Sequence, residues 1–350
     1  MSDETNIEWA SHTGGPYLGC SEVSPGCLHC YARELALSRL ERIFRAAFGK
    51  AGFADWQTRP VWGDQATRVL TRGFWDQART LNRRAEKSGQ PARMFPSMID
   101  WLDEMPAGII DQDGTQLTAD WVLGEFLKVV HGCDRLTWLL LTKRPENFRR
   151  RLQSVIGYWA AHEGGGATAE WVIAWLDGTA PEHVWIGTTT EDQTRADQRV
   201  PELLKIPAAV RFLSVEPMVG PVDLTHMDRT SETDPGYSAL EFRDGDEGDL
   251  KTAIDWVICG GESGHGARPM HPVWARSLRD QCEAAGVPFF FKQWGAWLPE
   301  HQEMDRERTA PAEKLHTFDD GVRAFRVGKI NAGALLDGVA HKEFPTAVTA

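Results

Sequence analysis

The stretch IDWVICGGESGHGARPMHPVWARSLRDQCEAAGVPFFFKQW, residues 254–294, decides the fold class. It holds two short apolar runs, IDWVICGGE (254–262) and VPFFFKQW (287–294). Both are near-continuous rather than alternating, as strands buried on both faces of a parallel sheet are. Between them, HPVWARSLRDQCEAAG (271–286) repeats Trp274, Leu278 and Cys282 every four residues on one helix face. Pro272 suits a first helical turn and Gly286 is a natural stop.

The same grammar extends outward. ARMFPSM (92–98), LTWLLLT (136–142), HVWIGTT (183–189) and VRFLSVE (210–216) are four more strand-like runs. LTADWVLGEFLKVVHG (117–132) reads as a helix capped by Thr118, with Trp121, Phe126, Val129 and Val130 apolar; CYARELALSRLERIFRAAFG (30–49) reads as another. TNIEWA (5–10) and TRPVWG (58–63) offer two further strands, which would make eight. EGGGATA (163–169) reads as a flexible break and the acidic, turn-rich 228–251 as a surface insertion.

Alternating strands and helices make a parallel α/β fold, either a (β/α) barrel or an open doubly wound sheet. Polar residues close many of the strands: Ser97 and Asp100, Thr142 and Lys143, Thr188 to Glu191, Ser214 and Glu216, Gly260 to Ser263, Lys292 and Gln293. In a barrel such residues converge on one site, whereas an open sheet uses them only near its switch point. The expectation is therefore a parallel (β/α) TIM-like barrel, complete or partial. It would span 1–295, with 296–350 as a C-terminal extension packed on it.

The N-terminal MSDETNIEWASH lacks the basic start and apolar run of a signal peptide. No apolar stretch reaches the ~18 residues of a membrane helix, which predicts a cytoplasmic protein with reduced thiols and no membrane partner. The net charge of −12 argues against non-specific binding of nucleic acid, which draws on a basic excess. TKRPENFRRRL (142–152) is a local basic cluster, read first as a solvated helix face. Most of the fifteen tryptophans read as packing residues.

Three of the six cysteines, Cys20, Cys27 and Cys30, lie within eleven residues spaced C-x6-C-x2-C. A structural zinc site would need a fourth ligand such as His29 or His12. A catalytic zinc site of three thiolates normally sits beside an H-x-E motif, and none lies next to these cysteines. A [4Fe–4S] cluster held by three thiolates would leave one iron open to a small molecule. Ordinary buried cysteines are the remaining reading. Cys133, Cys259 and Cys282 sit within apolar strand or helix patterns and read as packing.

A three-cysteine loop before a helix and a parallel (β/α) barrel resembles the radical S-adenosylmethionine superfamily. More closely, the chain resembles a bacteriophage protein family that carries a three-cysteine motif. The marks are TNIEWA, VSPGCLHCYA (23–32), LTKRPEN (141–147), VWIGTTTEDQ (184–193), RFLSVEPMVGPVDL (211–224), WVICGGESG (256–264), FFFKQWG (289–295), VGKINAGALLDG and EFP within 327–345. The first cysteine gap is six rather than the commonest three, and His29 stands where an aromatic residue precedes the last cysteine.

The resemblance implies a [4Fe–4S] cluster on Cys20, Cys27 and Cys30, with S-adenosyl-L-methionine as cosubstrate and an external one-electron donor. Reductive cleavage would give a 5′-deoxyadenosyl radical. It further implies an isomerase in phage DNA hypermodification, moving an amino acid on a modified thymine, in DNA or as its nucleotide, from a nitrogen link to an α-carbon link, in the host cytoplasm. Tyr31, Thr188, Glu191 and Ser214 would line the cofactor or substrate pocket. Glu216 and Lys292 would bind the substrate's amino or carboxylate group or move a proton. Lys143, Arg144 and Arg268 would be local cations for a flipped base. The rival readings are a zinc-stabilised nucleic-acid-binding protein, and a barrel hydrolase or lyase with structural cysteines.

Overall fold

The computed structural model describes residues 5, 7–33, 62–90, 92–111, 113–162, 164–227, 237–243, 250–251, 253–302 and 314–346. Seven strands form the main sheet: β1 (His12–Gly14), β2 (Ala92–Pro96), β3 (Leu136–Thr142), β4 (Val184–Thr189), β5 (Val210–Val215), β6 (Trp256–Gly260) and β7 (Phe289–Gln293). Six of them fall on the six apolar runs. Their order in the sheet is their order in the chain. The pairs β1–β2, β2–β3, β5–β6 and β6–β7 are parallel. A doubly wound sheet reverses its order at a switch point. This sheet has no reversal, which is the ordering of a partial parallel α/β barrel.

The expected count of eight strands is corrected to seven among the described residues. TNIEWA is not a strand: Ile7 to Ala10 form a turn closed by the Ala10 N–H to the Ile7 carbonyl at 3.0 Å. Trp9 is apolar because it packs, 2% exposed, on Phe95. Residues 58–61 of TRPVWG lie outside the described residues, and Trp62 makes a single bridge to Cys20. Arg68–Leu70 belongs to a separate four-stranded sheet with Tyr17–Leu18, Ile109–Ile110 and Gln116–Leu117.

Helices fill the crossovers: α1 (Gly73–Ser88), α2 (Ala119–Gly132), α3 (Phe148–Ala161), α4 (Ala167–Leu176), α5 (Gln193–Leu204) and α6 (Pro272–Ala285). In α2, the Thr118 hydroxyl accepts from the Trp121 N–H, supplying one donor of the open first turn with a partner. α6 starts at Pro272 and ends on Gly286 at φ 68°, the left-handed cap that glycine adopts freely. Tyr31 to Arg33 begin a helix, and 34–49 of that expected helix lie outside the described residues. Most of the 228–251 insertion does too, apart from Tyr237–Arg243 and Leu250–Lys251. TKRPENFRRRL divides: Arg149 and Arg150 are solvent-exposed, while Arg144 and Arg151 are buried. No helix among the described residues is long and apolar enough to cross a membrane.

The chain forms two compact units. The first is Met1–Val23, Cys30–Ile186 and Ile206–Ala209; the second is Ser24–His29, Gly187–Lys205 and Val210–Ala350. The first packs Trp101, Phe148 and Trp175 as one aromatic group, with Phe74, Phe126 and Trp138 as another. In the second, Trp256 meets Phe212, Phe290 and Phe344. Residues 296–302 and 314–346 there add a three-stranded antiparallel sheet of Trp297–Pro299, Arg323–Arg326 and Leu315–Thr317. They are pinned to α6 by Asp337, which binds Arg276 and Arg279.

Two outcomes follow from this packing. A Cβ at Gly261 would stand 2.0 Å from the Trp294 carbonyl oxygen, whereas one at Gly157, exposed within α3, meets nothing within 4 Å. Thermal melting should show Gly261→Ala destabilised by about 3 kcal/mol and Gly157→Ala stabilised by roughly 0.5–1 kcal/mol. The hydrogen bond from Arg276 holds the Asp337 carboxyl well below its usual range, against a smaller opposing effect of burial. A lowered folded value means its contribution is present above the ordinary carboxylate value of about 4 and is lost as pH falls below it. Asp337→Asn should therefore flatten the fall in melting temperature between about pH 5 and pH 2.

Candidate functional site

In the first unit, Cys20 follows Gly19, whose φ of 116° is open to glycine. Beside it lies a buried ionic network from the segments after β2 and β3. Asp100 is the hub. Its Oδ1 accepts from the Leu102 N–H at 3.1 Å and the Thr142 hydroxyl at 2.6 Å. Its Oδ2 accepts from the Lys143 N–H at 2.9 Å and Arg144 Nη1 at 2.8 Å. The Tyr17 hydroxyl donates to the Asp100 carbonyl at 2.5 Å.

Arg68, fully buried, completes the network. It pairs with Asp103 at 2.8 Å and donates to the Ser21 hydroxyl at 2.7 Å and the carbonyls of Gly63 and Ala66. Arg144 Nη1 also reaches Cys20 Sγ at 3.9 Å, and Nη2 donates to the Ser21 carbonyl at 3.2 Å. Burial pushes the Cys20 thiol up to about 12, Asp100 adds to this, and Arg144 opposes it. Burial works against the Arg144 charge, but Asp100, Cys20 and Asp103 more than offset it, so its value is raised. Cys30 is half-buried, and Tyr31 is 47% exposed.

In the second unit, Ser24 to His29 carry Cys27. Pro25–Cys27 make one 3₁₀ turn, with the Cys27 N–H on the Ser24 carbonyl at 2.9 Å. The Gly26 N–H donates to Glu191 Oε1 at 3.1 Å. A Cβ at Gly26 would stand 2.9 Å from that oxygen, so the close approach requires glycine. Glu191, just beyond β4, has no exposed surface, and its Oε2 pairs with Arg199 at 2.8 Å. Arg199 also donates to the Thr189 carbonyl at 2.8 Å. On the other side, Arg268 Nη2 donates to the Pro25 carbonyl at 2.9 Å while the same guanidinium grips Glu262. His29 lies against Gly266, where a Cβ would come within 2.3 Å of the imidazole.

Glu216 and Lys292, from the ends of β5 and β7, meet at 2.6 Å, and Gln293 Nε2 reaches the same oxygen at 3.4 Å. Their side chains are 17% and 11% exposed, so the pair faces a partly open space. Gly260 makes room for it, since a Cβ there would stand 3.2 Å from Glu216 Cδ. A buried-edge carboxylate beside an ammonium can bind a zwitterionic group or hold a proton between them.

The other named residues are placed as follows. Thr188 and Ser214 lie inside their strands, 0% and 3% exposed. Glu191 binds the cysteine loop rather than facing open space. Arg144 and Arg268 are ion-paired. Cys133, Cys259 and Cys282 are buried, and all six cysteines are free thiols. Asp100 and Glu262 fell among the polar strand ends, but Tyr17, Arg68, Asp103 and Arg199 were not distinguished. The one local signal is the D-x-x-D of Asp100 and Asp103 directly after a strand. Among the described residues, no three His, Cys, Asp or Glu groups are gathered so as to hold a metal ion.

Glu191→Gln leaves the buried Arg199 without its counter-charge. Urea unfolding should show a loss of about 3 kcal/mol. The combined Glu191→Gln, Arg199→Met variant should lose less than the sum of the single changes.

A family model described as Protein of unknown function (DUF5131) matches residues 4–345. No curated protein and no solved structure matches the chain.

Proposed function

The chain belongs to the DUF5131 family, and we propose that it is a radical S-adenosylmethionine enzyme with a TIM-like (β/α) barrel and an iron–sulfur loop. The observation that carries the reading is the C-x6-C-x2-C set of free thiols at Cys20, Cys27 and Cys30, ahead of a parallel sheet in sequential order. The three thiols, none in a disulfide and all on one stretch of eleven residues, match a [4Fe–4S] cluster in kind and number, and the described residues do not gather three such groups into a metal-ion site. Three thiolates leave one iron open, and when bound the cluster supplies the electron that cleaves S-adenosyl-L-methionine.

The remaining work falls to the chain itself. Glu191 and Arg268 hold the Cys27 loop by its backbone, which leaves the thiol free of that task. Arg144 does the same for the Ser21 carbonyl beside Cys20. Glu216 and Lys292 supply opposite charges for the amino and carboxylate groups of an amino-acid substituent, and either can move a proton at that substituent. Tyr31, Thr188 and Ser214 belong to the nucleotide side of the reaction. The substrate that suits this set is an amino-acid-modified thymine, in DNA or as its nucleotide. The reaction is migration of the thymine bond from nitrogen to the α-carbon. The electron comes from an external donor, and the reaction takes place in the cytoplasm.

Anaerobically purified protein should be brown, bleach with dithionite and contain about four irons per chain. Cys27→Ala should lose the iron and the formation of 5′-deoxyadenosine. A colourless protein holding one zinc overturns the reading.

A further inference from the structure

We propose that Gln293 is the specificity-determining residue of an α-amino-acid binding site at the end of β7, where its side-chain carbonyl accepts a hydrogen bond from the ligand's ammonium. This rests on the function above for the roles of Glu216 and Lys292 alone, and no cluster or radical takes part in it. The residues concerned all lie in the second unit.

Consecutive side chains of a regular strand face opposite sides, so Lys292 and Gln293 should not share a partner. They do: Lys292 Nζ donates to Glu216 Oε1 at 2.6 Å and Gln293 Nε2 to the same oxygen at 3.4 Å. The register between β6 and β7 slips here. Cys259 pairs with Phe291 but Gly260 pairs with Gln293, which leaves Lys292 as an extra residue. Such bulges re-aim side chains and recur next to active sites. β6 lies between β5 and β7 in the sheet. Gly260 lets Glu216 cross it, since a Cβ there would stand 3.2 Å from Glu216 Cδ.

Gln293 is 5% exposed, and its Oε1 has no hydrogen-bond partner among the described residues. A carboxylate oxygen only accepts, so the contact to Glu216 fixes which end of the amide is Nε2. Oε1 belongs to the same amide group and therefore stands beside the ion pair. A buried acceptor left unpaired costs stability, and a native protein that keeps one has a use for it. The Thr190 hydroxyl, directly after β4 and fully buried, is likewise without a partner among the described residues.

The ligand class follows from the groups. Lys292 and Gln293 both use Oε1 of Glu216, leaving Oε2 as a further acceptor. Glu216 Oε2 and Gln293 Oε1 together match two N–H donors of an ammonium. Lys292 has three donors and spends one on Glu216, so the others match a carboxylate. The Glu216–Lys292 pair is neutral in sum, and its side chains are only 17% and 11% exposed. A ligand with a net charge would leave that charge uncompensated there, whereas a zwitterion keeps the balance.

The test is calorimetric titration of the full chain with glycine and with betaine, which keeps both charges but has no N–H to donate. Wild type should bind glycine about a hundredfold more tightly than betaine, and Gln293→Met should cut that ratio about tenfold, the worth of one hydrogen bond to a charged group. The variant should melt no lower than wild type, because the acceptor it removes was unpaired. Wild type that binds no glycine overturns the inference, as does a glycine-to-betaine ratio unchanged in Gln293→Met. A variant that melts well below wild type also overturns it, since the amide is then structural. Iron content and 5′-deoxyadenosine formation are measured on the same preparation. Glycine binding without either leaves this inference standing and removes the radical function; both without glycine binding removes this inference alone.

Discussion

Asp100 is 5% exposed and takes four donors on its two carboxylate oxygens. A carboxylate at that depth is tolerable only when paired and saturated with hydrogen bonds, because its desolvation penalty is several kcal/mol. The four donors come from the segment after β2, from the end of β3 and from the two residues beyond it. The Asp100 carbonyl meanwhile takes the Tyr17 hydroxyl. Satisfying this one residue thus joins the start of the chain to two crossover segments. The placement of Ser21, and with it Cys20, follows from the arginine that neutralises it.

The second unit solves a similar problem with different parts. Glu191 is also inaccessible, and its two oxygens are divided between a guanidinium and a backbone N–H. A carboxylate bound to a backbone N–H constrains main-chain position without using a side chain of the loop. Arg268 does the converse, donating to a loop carbonyl while Glu262 holds it in place. The segment from Ser24 to His29 is thereby fixed at Pro25 and Gly26, immediately before Cys27. Its thiol meets the Ser24 hydroxyl at 3.8 Å.

How much of this was legible depended on range. Strands buried on both faces require unbroken apolar runs, and each of β2 to β7 lay on such a run. Helix ends at Thr118, Pro272 and Gly286 rest on local chemistry and were readable for the same reason. β1 was missed because His12–Gly14 has no apolar signature; it pairs on one side only, with β2. TNIEWA misled because burial of Trp9 produces the same letters as a strand. The site residues were harder. The polar strand ends were visible, but Glu191 looked like a pocket residue, and its true partners are 165 positions back and eight positions on. Arg68 carries no motif at all, since its four partners are assembled only by the fold.

The pairing of the cations also bears on the size of the substrate. Lys143, Arg144 and Arg268 are the basic residues that motif reading offered to a nucleic acid. Both arginines are committed: Arg144 lies in a buried network with Asp100, and Arg268 spans Glu262. A cation already neutralised by a carboxylate releases no counter-ion when a phosphate approaches, so it adds little to polyanion affinity. To recruit Arg144, a phosphate would have to displace Asp100 and leave that carboxylate buried and unpaired, at a cost of about 3–5 kcal/mol. With a net charge of −12 besides, duplex binding along a basic track has little to draw on. Under the function proposed above, a single modified nucleotide therefore suits this charge distribution better than a duplex would.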